Sequence, residues 1–272
     1  MADCCYLDTT VLIEALFKTS RRRRKARAAV QDFAKSLLPV YAIKEMSAGA
    51  LSYAVWLYNK LSETHSVQRT HDAIVSNIKN PNRVTTSLEL LGAASEAFTG
   101  ADLADARTPA QLDRMLAEMN ALSLRRIILN GWRSRRKITT DVVQELDCFP
   151  ENAPYIDEEL HIMTVGKSSC PSNMDCHYAS ELRRRPSDLN LLLQVLKGST
   201  RREDIRRRKA LNVLARTTKR SFDNGNCRGL GDAYFALNCP KNATILTSNQ
   251  RDHAPLAEAL GKSVTPYKWK EE

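Results

Sequence analysis

The sequence predicts an α/β protein whose sheet core comes from its two ends, with an all-helical segment between them. Three observations carry that expectation. Short apolar, strand-like runs near each end lead directly into polar residues. Such runs nearly vanish between residues 63 and 221. There, apolar residues recur at helical spacing, and prolines such as Pro81, Pro109, Pro150, Pro154, Pro171 and Pro186 punctuate them.

CCYL reads as a strand ending at Asp8, and Thr10 to Lys18 as a helix burying Val11, Ile13, Leu16 and Phe17. The basic run Arg21 to Arg27 opens a second helix that continues through Val30 and Phe33. LLPVYAI, Leu37 to Ile43, reads as the second strand. A long helix, KEMSAGALSYAVWLYNKL, follows it, with Ala50, Ala54, Leu57 and Leu61 in helical register. Between the ends, HSVQRTHDAIVSNI, SLELLGAASEAF, PAQLDRMLAEMNALSLRRIIL, DVVQEL, DLNLLLQVL and REDIRRRKALNVLA all read as helices. Thr108 is the expected N-cap of the third, with Pro109 in its first turn.

After Asp223, NGNCRGLG reads as a turn-rich loop and DAYFALNC as a short helix stopped by Pro240. ATILT is a strand, APLAEALG a closing helix ended by Gly261, and VTPYKW an edge strand. The expected division is a core of residues 1–62 and 222–272 and a helical insertion of residues 63–221.

The chain has 272 residues, 43% of them hydrophobic but only 6% aromatic, so aliphatic side chains must fill most of the core. Its formal net charge is +10, which favours an anionic partner, nucleic acid before a membrane surface. No apolar run reaches the roughly 18–20 residues that span a bilayer. Asp3 stands where a signal peptide would be basic. The expected location is the cytoplasm, with no membrane partner and with the seven cysteines as reduced thiols. Cys148, Cys170, Cys176 and His177 lack the paired spacing of a zinc site.

In α/β sheets, functional groups gather at the carboxyl ends of the strands. Asp8, Glu45, Asn249 and Asp252 follow the expected strands, and Asp232 opens a helix after a glycine-rich stretch. Each has an ordinary alternative. Asp8 could be an N-cap contributing about 1 kcal/mol, and Asp232 a first-turn acid favoured by the helix dipole. Glu45 could be a solvated helix residue, and Asp252 and Asn249 could be caps. If the strands are adjacent, however, the carboxylates converge and raise one another's pKa unless a cation joins them. Mg2+ or Mn2+ takes such hard oxygen ligands and can activate water for phosphodiester cleavage.

YLDTTVLIEAL, VYAIKEM, GLGDAYFAL and ILTSNQRDHAPLAEALG, in that order, resemble the PIN-domain nucleases, most of all the toxin ribonucleases of bacterial toxin–antitoxin pairs. The resemblance implies a PIN-like parallel sheet flanked by helices. It implies Asp8, Glu45 and Asp232 as metal-binding catalytic acids, Asp252 as a trailing acid, and Thr247 with Asn249 as the supporting Thr-x-Asn element. It also implies an RNA substrate, an antitoxin or other regulatory protein, and homodimers. Two departures stand out. His253 occupies a position that is usually aromatic. Asn249 replaces an acid, so a second metal is expected to bind weakly or not at all.

Arg21, Arg22, Arg23, Arg24 and Lys25, with Arg133, Arg135 and Arg136 beside Trp132, are the expected RNA-binding residues. Trp132 also suits a core position, and RREDIRRRK suits internal ion pairing through Glu203 and Asp204. The expected function is a metal-dependent endoribonuclease, a bacterial toxin or phage-defence effector. Two alternatives stay open: a non-catalytic RNA-binding protein on the same fold, and a phosphohydrolase of the haloacid-dehalogenase type. The latter lacks its second acid, because Thr10 stands two residues after Asp8.

Overall fold

The computed structural model describes residues 3–96, 98, 106–149, 151–166, 176–216 and 222–268. Cys170 and Ala97, within the SLELLGAASEAF stretch, lie outside them. The core is a five-stranded, wholly parallel sheet. Its central strand β1 (Cys4–Leu7) lies between β2 (Lys35–Pro39) and β6 (Ala243–Thr247). The edges are β3 (Asp141–Val143), beside β2, and β7 (Ser263–Pro266), beside β6. All four residues of β1 and all five of β6 are buried. That is what strands covered on both faces require, and why both read as unbroken apolar runs. The two ends of the chain therefore meet: Cys4 pairs with Ala243 and Leu7 with Leu246.

The helices expected near the ends are present, with some changes of boundary. α1 (Thr9–Phe17) and α2 (Ser20–Gln31) follow β1. The second strand is Lys35–Pro39, not Leu37 to Ile43, because Val40–Met46 is helical and forms α3. VYAI is β-prone by composition, but burial of all four side chains under the sheet decides its state. Pro39 is the last extended residue, and its neighbour Val40 gives its N–H to the Glu145 carboxylate at 3.1 Å. α3 continues through a π-helical turn (Ser47–Leu51) into α4 (Ser52–Thr64). The Ser52 hydroxyl donates to the Ser47 carbonyl at 2.7 Å across that turn.

The described residues between 63 and 221 are mostly helical but not all-helical, and this corrects the sequence reading. α5 (Val67–Asn77), α6 (Pro81–Ser95) and α7 (Pro109–Ser134) come first. Thr108 and Gln111 form the capping box of α7. Part of DVVQEL, read as a helix, is β3, which joins the core sheet in register with β2 (Leu37 opposite Asp141). Ser36 and Thr140 lock its entry: each backbone N–H donates to the other's hydroxyl at 3.0 Å. A three-residue strand carries no legible periodicity. β4 (Tyr155–Asp157) and β5 (Ile162–Thr164) form an antiparallel hairpin, held to α4 by two 2.8 Å hydrogen bonds between the Asn59 amide and the Met163 backbone.

α8 (His177–Arg183), α9 (Pro186–Val195) and α10 (Arg202–Arg216) complete this segment. α7 packs against α1 and α4, and α9 against α13 (Gln250–Ala259). NGNCRGLG, read as a loop, is largely α11 (Asn224–Leu230), capped by the Asp223 carboxylate. Its glycine has a packing reason: a Cβ on Gly229 would lie 3.0 Å from the Ala210 Cβ of α10. α12 (Asp232–Asn238) is the short helix expected before Pro240. Among the described residues no helix is long and apolar enough to cross a membrane. Cys4, Cys5 and Cys239 are free thiols.

Glu145 follows β3 and holds the start of the helix that carries Glu45. Burial raises its pKa from 4.5 to about 6. The folded state therefore binds its proton more tightly than the unfolded chain. The resulting stability is complete below the unfolded value and is lost as pH rises through about 6. Urea denaturation between about pH 4.5 and 7.5 should show the wild type losing about 1–2 kcal/mol more than Glu145→Gln, which stays neutral and can still accept from Val40. Parallel pH profiles for the two proteins would refute this.

Candidate active site

β1 and β6 run side by side and end together, so the turns that follow them meet at the carboxyl edge of the sheet. Asp8 holds the N-cap position of α1, yet its side chain makes no capping bond. Instead one carboxylate oxygen, Oδ2, accepts the Thr10 hydroxyl at 2.5 Å and the Thr247 hydroxyl at 2.6 Å. Its other oxygen, Oδ1, faces His253 Nε2 at 3.5 Å. Asp8 is only 2% exposed, and a carboxylate so placed must be compensated. Burial would raise its pKa. The neighbouring His253 and the hydrogen bonds from Thr10 and Thr247 outweigh burial and hold Asp8 below the usual carboxylate value. The second turn is tied to the first. Thr247 Oγ1 also accepts the Asn249 N–H at 2.9 Å, and Thr10 Oγ1 the Ser248 N–H at 3.2 Å.

Glu45, on α3, is half-buried and accepts the Thr9 hydroxyl at 2.7 Å. Burial raises its pKa, and the nearby charge of Asp8 adds to the rise. Asp232 opens α12 directly after Gly231, whose φ of +49° is a conformation side-chain-bearing residues rarely adopt. Its Oδ1 lies 3.2 Å from His253 Nε2. One imidazole nitrogen thus faces both Asp8 and Asp232. His253 is fully buried, and its ring sits edge-on to Phe235 with centroids 5.4 Å apart. It keeps the ring expected at this position and adds a nitrogen aimed at two acids.

Sequence reasoning missed a cation here. Arg207, on α10, is 6% exposed and pairs with Asp232, with Asp204 at 2.8 Å and with Asp252 at 3.8 Å. Arg201 pairs with Asp252. Burial would raise the Asp252 pKa, but its hydrogen bonds from Arg201 and Asn249 keep it low. Asn249 makes no capping bond and donates its amide to Asp252 at 3.2 Å. The internal pairing expected within RREDIRRRK is present, through Asp204. The pairing of Arg207 with Asp232 spans 25 residues and leaves no periodic trace.

The donors fit a hard divalent cation in kind, being carboxylates at one sheet edge. Asp8 and Asp232 converge, while Glu45 is turned to Thr9. Among the described residues, no three acidic, histidine or cysteine side chains stand close enough together to hold an ion as they are.

Several of the expected RNA-binding residues are engaged within the fold. Arg22 pairs with Glu14 and Glu89, and Arg135 and Arg136 pair with Glu151. Arg135 also stacks on Trp132, which is buried, with its guanidinium 3.7 Å from the ring centroid. Arg21, Arg24 and Arg133 are exposed, while Arg23 and Lys25 are half-buried.

Arg207→Ala would leave Asp232 without its guanidinium partner and Asp204 with Arg201 at 3.9 Å. It should destabilise the fold by about 3 kcal/mol, with a smaller loss in Arg207→Lys. Added Mn2+ should raise the thermal midpoint of Arg207→Ala more than that of the wild type. Equal midpoints for wild type and variant would show that the buried pairs contribute nothing. Comparison of the chain with protein-family models, curated proteins and solved structures finds no match in any of the three.

Proposed function

We propose that the chain is a Mg2+- or Mn2+-dependent endoribonuclease on a PIN-like fold. The observation that carries this reading is the convergence of Asp8 and Asp232, from opposite ends of the chain, on one nitrogen at the carboxyl edge of a parallel sheet. Asp8 and Asp232, with Glu45, would hold the ion. When bound, the ion would supply an activated water and neutralise charge at the phosphodiester.

The chain's own residues set the stage for this. Thr10 and Thr247 anchor one oxygen of Asp8 and leave the other facing the centre. His253 spaces Asp8 from Asp232, and Phe235 supports the ring. Arg201 and Arg207 place two guanidinium groups on Asp252 and Asp232, where the charge of a bound phosphodiester would also lie. The net charge of +10 draws a polyanion toward the surface. On this reading the enzyme acts as a toxin or phage-defence effector, restrained by a protein partner and active as a homodimer.

One observation favours the non-catalytic alternative. Arg207 already neutralises Asp232 from within the fold, which would let the site bind RNA without a metal.

Cleavage of single-stranded RNA separates the two. With Mn2+, the purified chain should cut RNA. Asp8→Asn and Asp232→Asn should each lower the rate by about a hundredfold or more while remaining folded by circular dichroism at the assay temperature. RNA binding without cleavage would establish the alternative, and undiminished cleavage by Asp8→Asn would sink the metal reading.

A further inference from the structure

A second concentration of charge lies away from the acids. Between the far end of α1, the start of α2, α6 and α7 is a cavity of about 460 Å³. α1 starts beside the acids at Thr9, and Leu16, near its other end, lines the cavity. That is about 10 Å further along the helix axis. Arg23, Arg24 and Arg27 from α2 and Arg126 from α7 all face this space, and Glu96 is the one acid among the described residues of its wall.

The arginines are not matched by that acid. Glu96 accepts the Ser20 backbone N–H at 2.9 Å. Arg23 donates to the Ser20 hydroxyl at 3.1 Å and Arg27 to the Ala15 carbonyl at 3.2 Å, both neutral acceptors. Arg24 and Arg126 are exposed and have no hydrogen-bond or ion-pair partner among the described residues. Burial and the charge of Arg27 lower the Arg23 pKa, and the charge of Glu96 offsets them only in part. Ser123, Asn130 and Ser134 add hydrogen-bonding groups from α7, above an apolar floor that includes Ile127.

We propose that this cavity is a binding site for a phosphate-bearing anion, distinct from the acid cluster. Its size is that of a small-ligand pocket, and guanidinium forks match phosphate oxygens in pairs. Four arginines against one carboxylate call for more than one negative charge. A phosphate monoester, a pyrophosphate or successive phosphodiesters of an RNA strand meet that demand, and a single carboxylate does not. The site does not depend on the nuclease reading, because none of its groups belongs to the acid cluster.

Calorimetric titration of the full-length protein in EDTA tests it, with inorganic pyrophosphate and a short 5′-phosphorylated single-stranded RNA as probes. The pocket variant is Arg24→Glu/Arg126→Glu. The control is Arg184→Glu/Lys241→Glu, the same charge change at exposed positions elsewhere. Pyrophosphate should bind wild type and control alike, and the pocket variant about tenfold more weakly or worse, with circular dichroism and thermal midpoints unchanged. Arg24→Ala/Arg126→Ala should show the same loss in smaller degree.

If RNA affinity falls with that of pyrophosphate and the two probes compete, the natural phosphate is a strand's backbone. If RNA affinity holds, it is a free phosphate compound. Asp232→Asn should bind pyrophosphate as the wild type does, so failure of the acid-site reading leaves this result standing. No pyrophosphate binding to wild type, or equal weakening in the control, would overturn the proposal.

Discussion

The pairing of β1 with β6 is the constraint on which the rest of this structure depends. Both strands are wholly buried, so their backbone groups must find partners within the sheet. Parallel registry then brings their ends level, Leu7 against Leu246. The next residue on each chain must leave the apolar layer, and on both it is polar or leads to polar groups. Asp8 and Thr247 are hydrogen-bonded because the sheet delivers them to the same place. The hydroxyl bonds that follow, from Thr10 and Thr247, make a buried carboxylate tolerable without spending it on a helix cap.

Charge balance explains why the segment read as an insertion cannot be treated apart from the site. Asp8 and Asp232 both face His253 on α13, and Asp232 and Asp252 share Arg207. The partners of these acids are His253, Arg207 within α10 and Arg201 just before it. Two of those three groups therefore lie within residues 63–221. The same segment contributes β3 to the sheet and Glu145 to the start of α3. Gly231 fits this arrangement: its positive φ turns the chain into α12 where a Cβ would lie 3.5 Å from Arg207 Nε.

The basic run at the start of α2 shows how one composition signal separates in three dimensions. A helix turns successive side chains by about 100°, so a contiguous run of arginines cannot all face one way. Arg22 faces inward to Glu14 and Glu89, whereas Arg23, Arg24 and Arg27 face the cavity shared with α7. The charge that sequence alone assigns to a single RNA grip thus divides between a structural ion pair and an arginine-lined cavity.

The sequence by itself determined the α/β class, the two buried strands β1 and β6, the capping box of α7, the edge strand β7, and Asp8 and Asp232 as residues set at element boundaries. Those properties are local: apolar runs, turn chemistry and spacing record them directly. Tertiary structure decided the rest. β3 is too short to show a period, VYAI is helical because of where it is buried, and the glycines of NGNCRGLG permit a close helix contact that composition reads as a loop. The convergence of Asp8 with Asp232, the imidazole of His253 between them and the guanidinium of Arg207 on Asp232 were also beyond local reading. Each is a pairing of charge or hydrogen bond across distant sequence, and such pairings are set by which surfaces the core brings together.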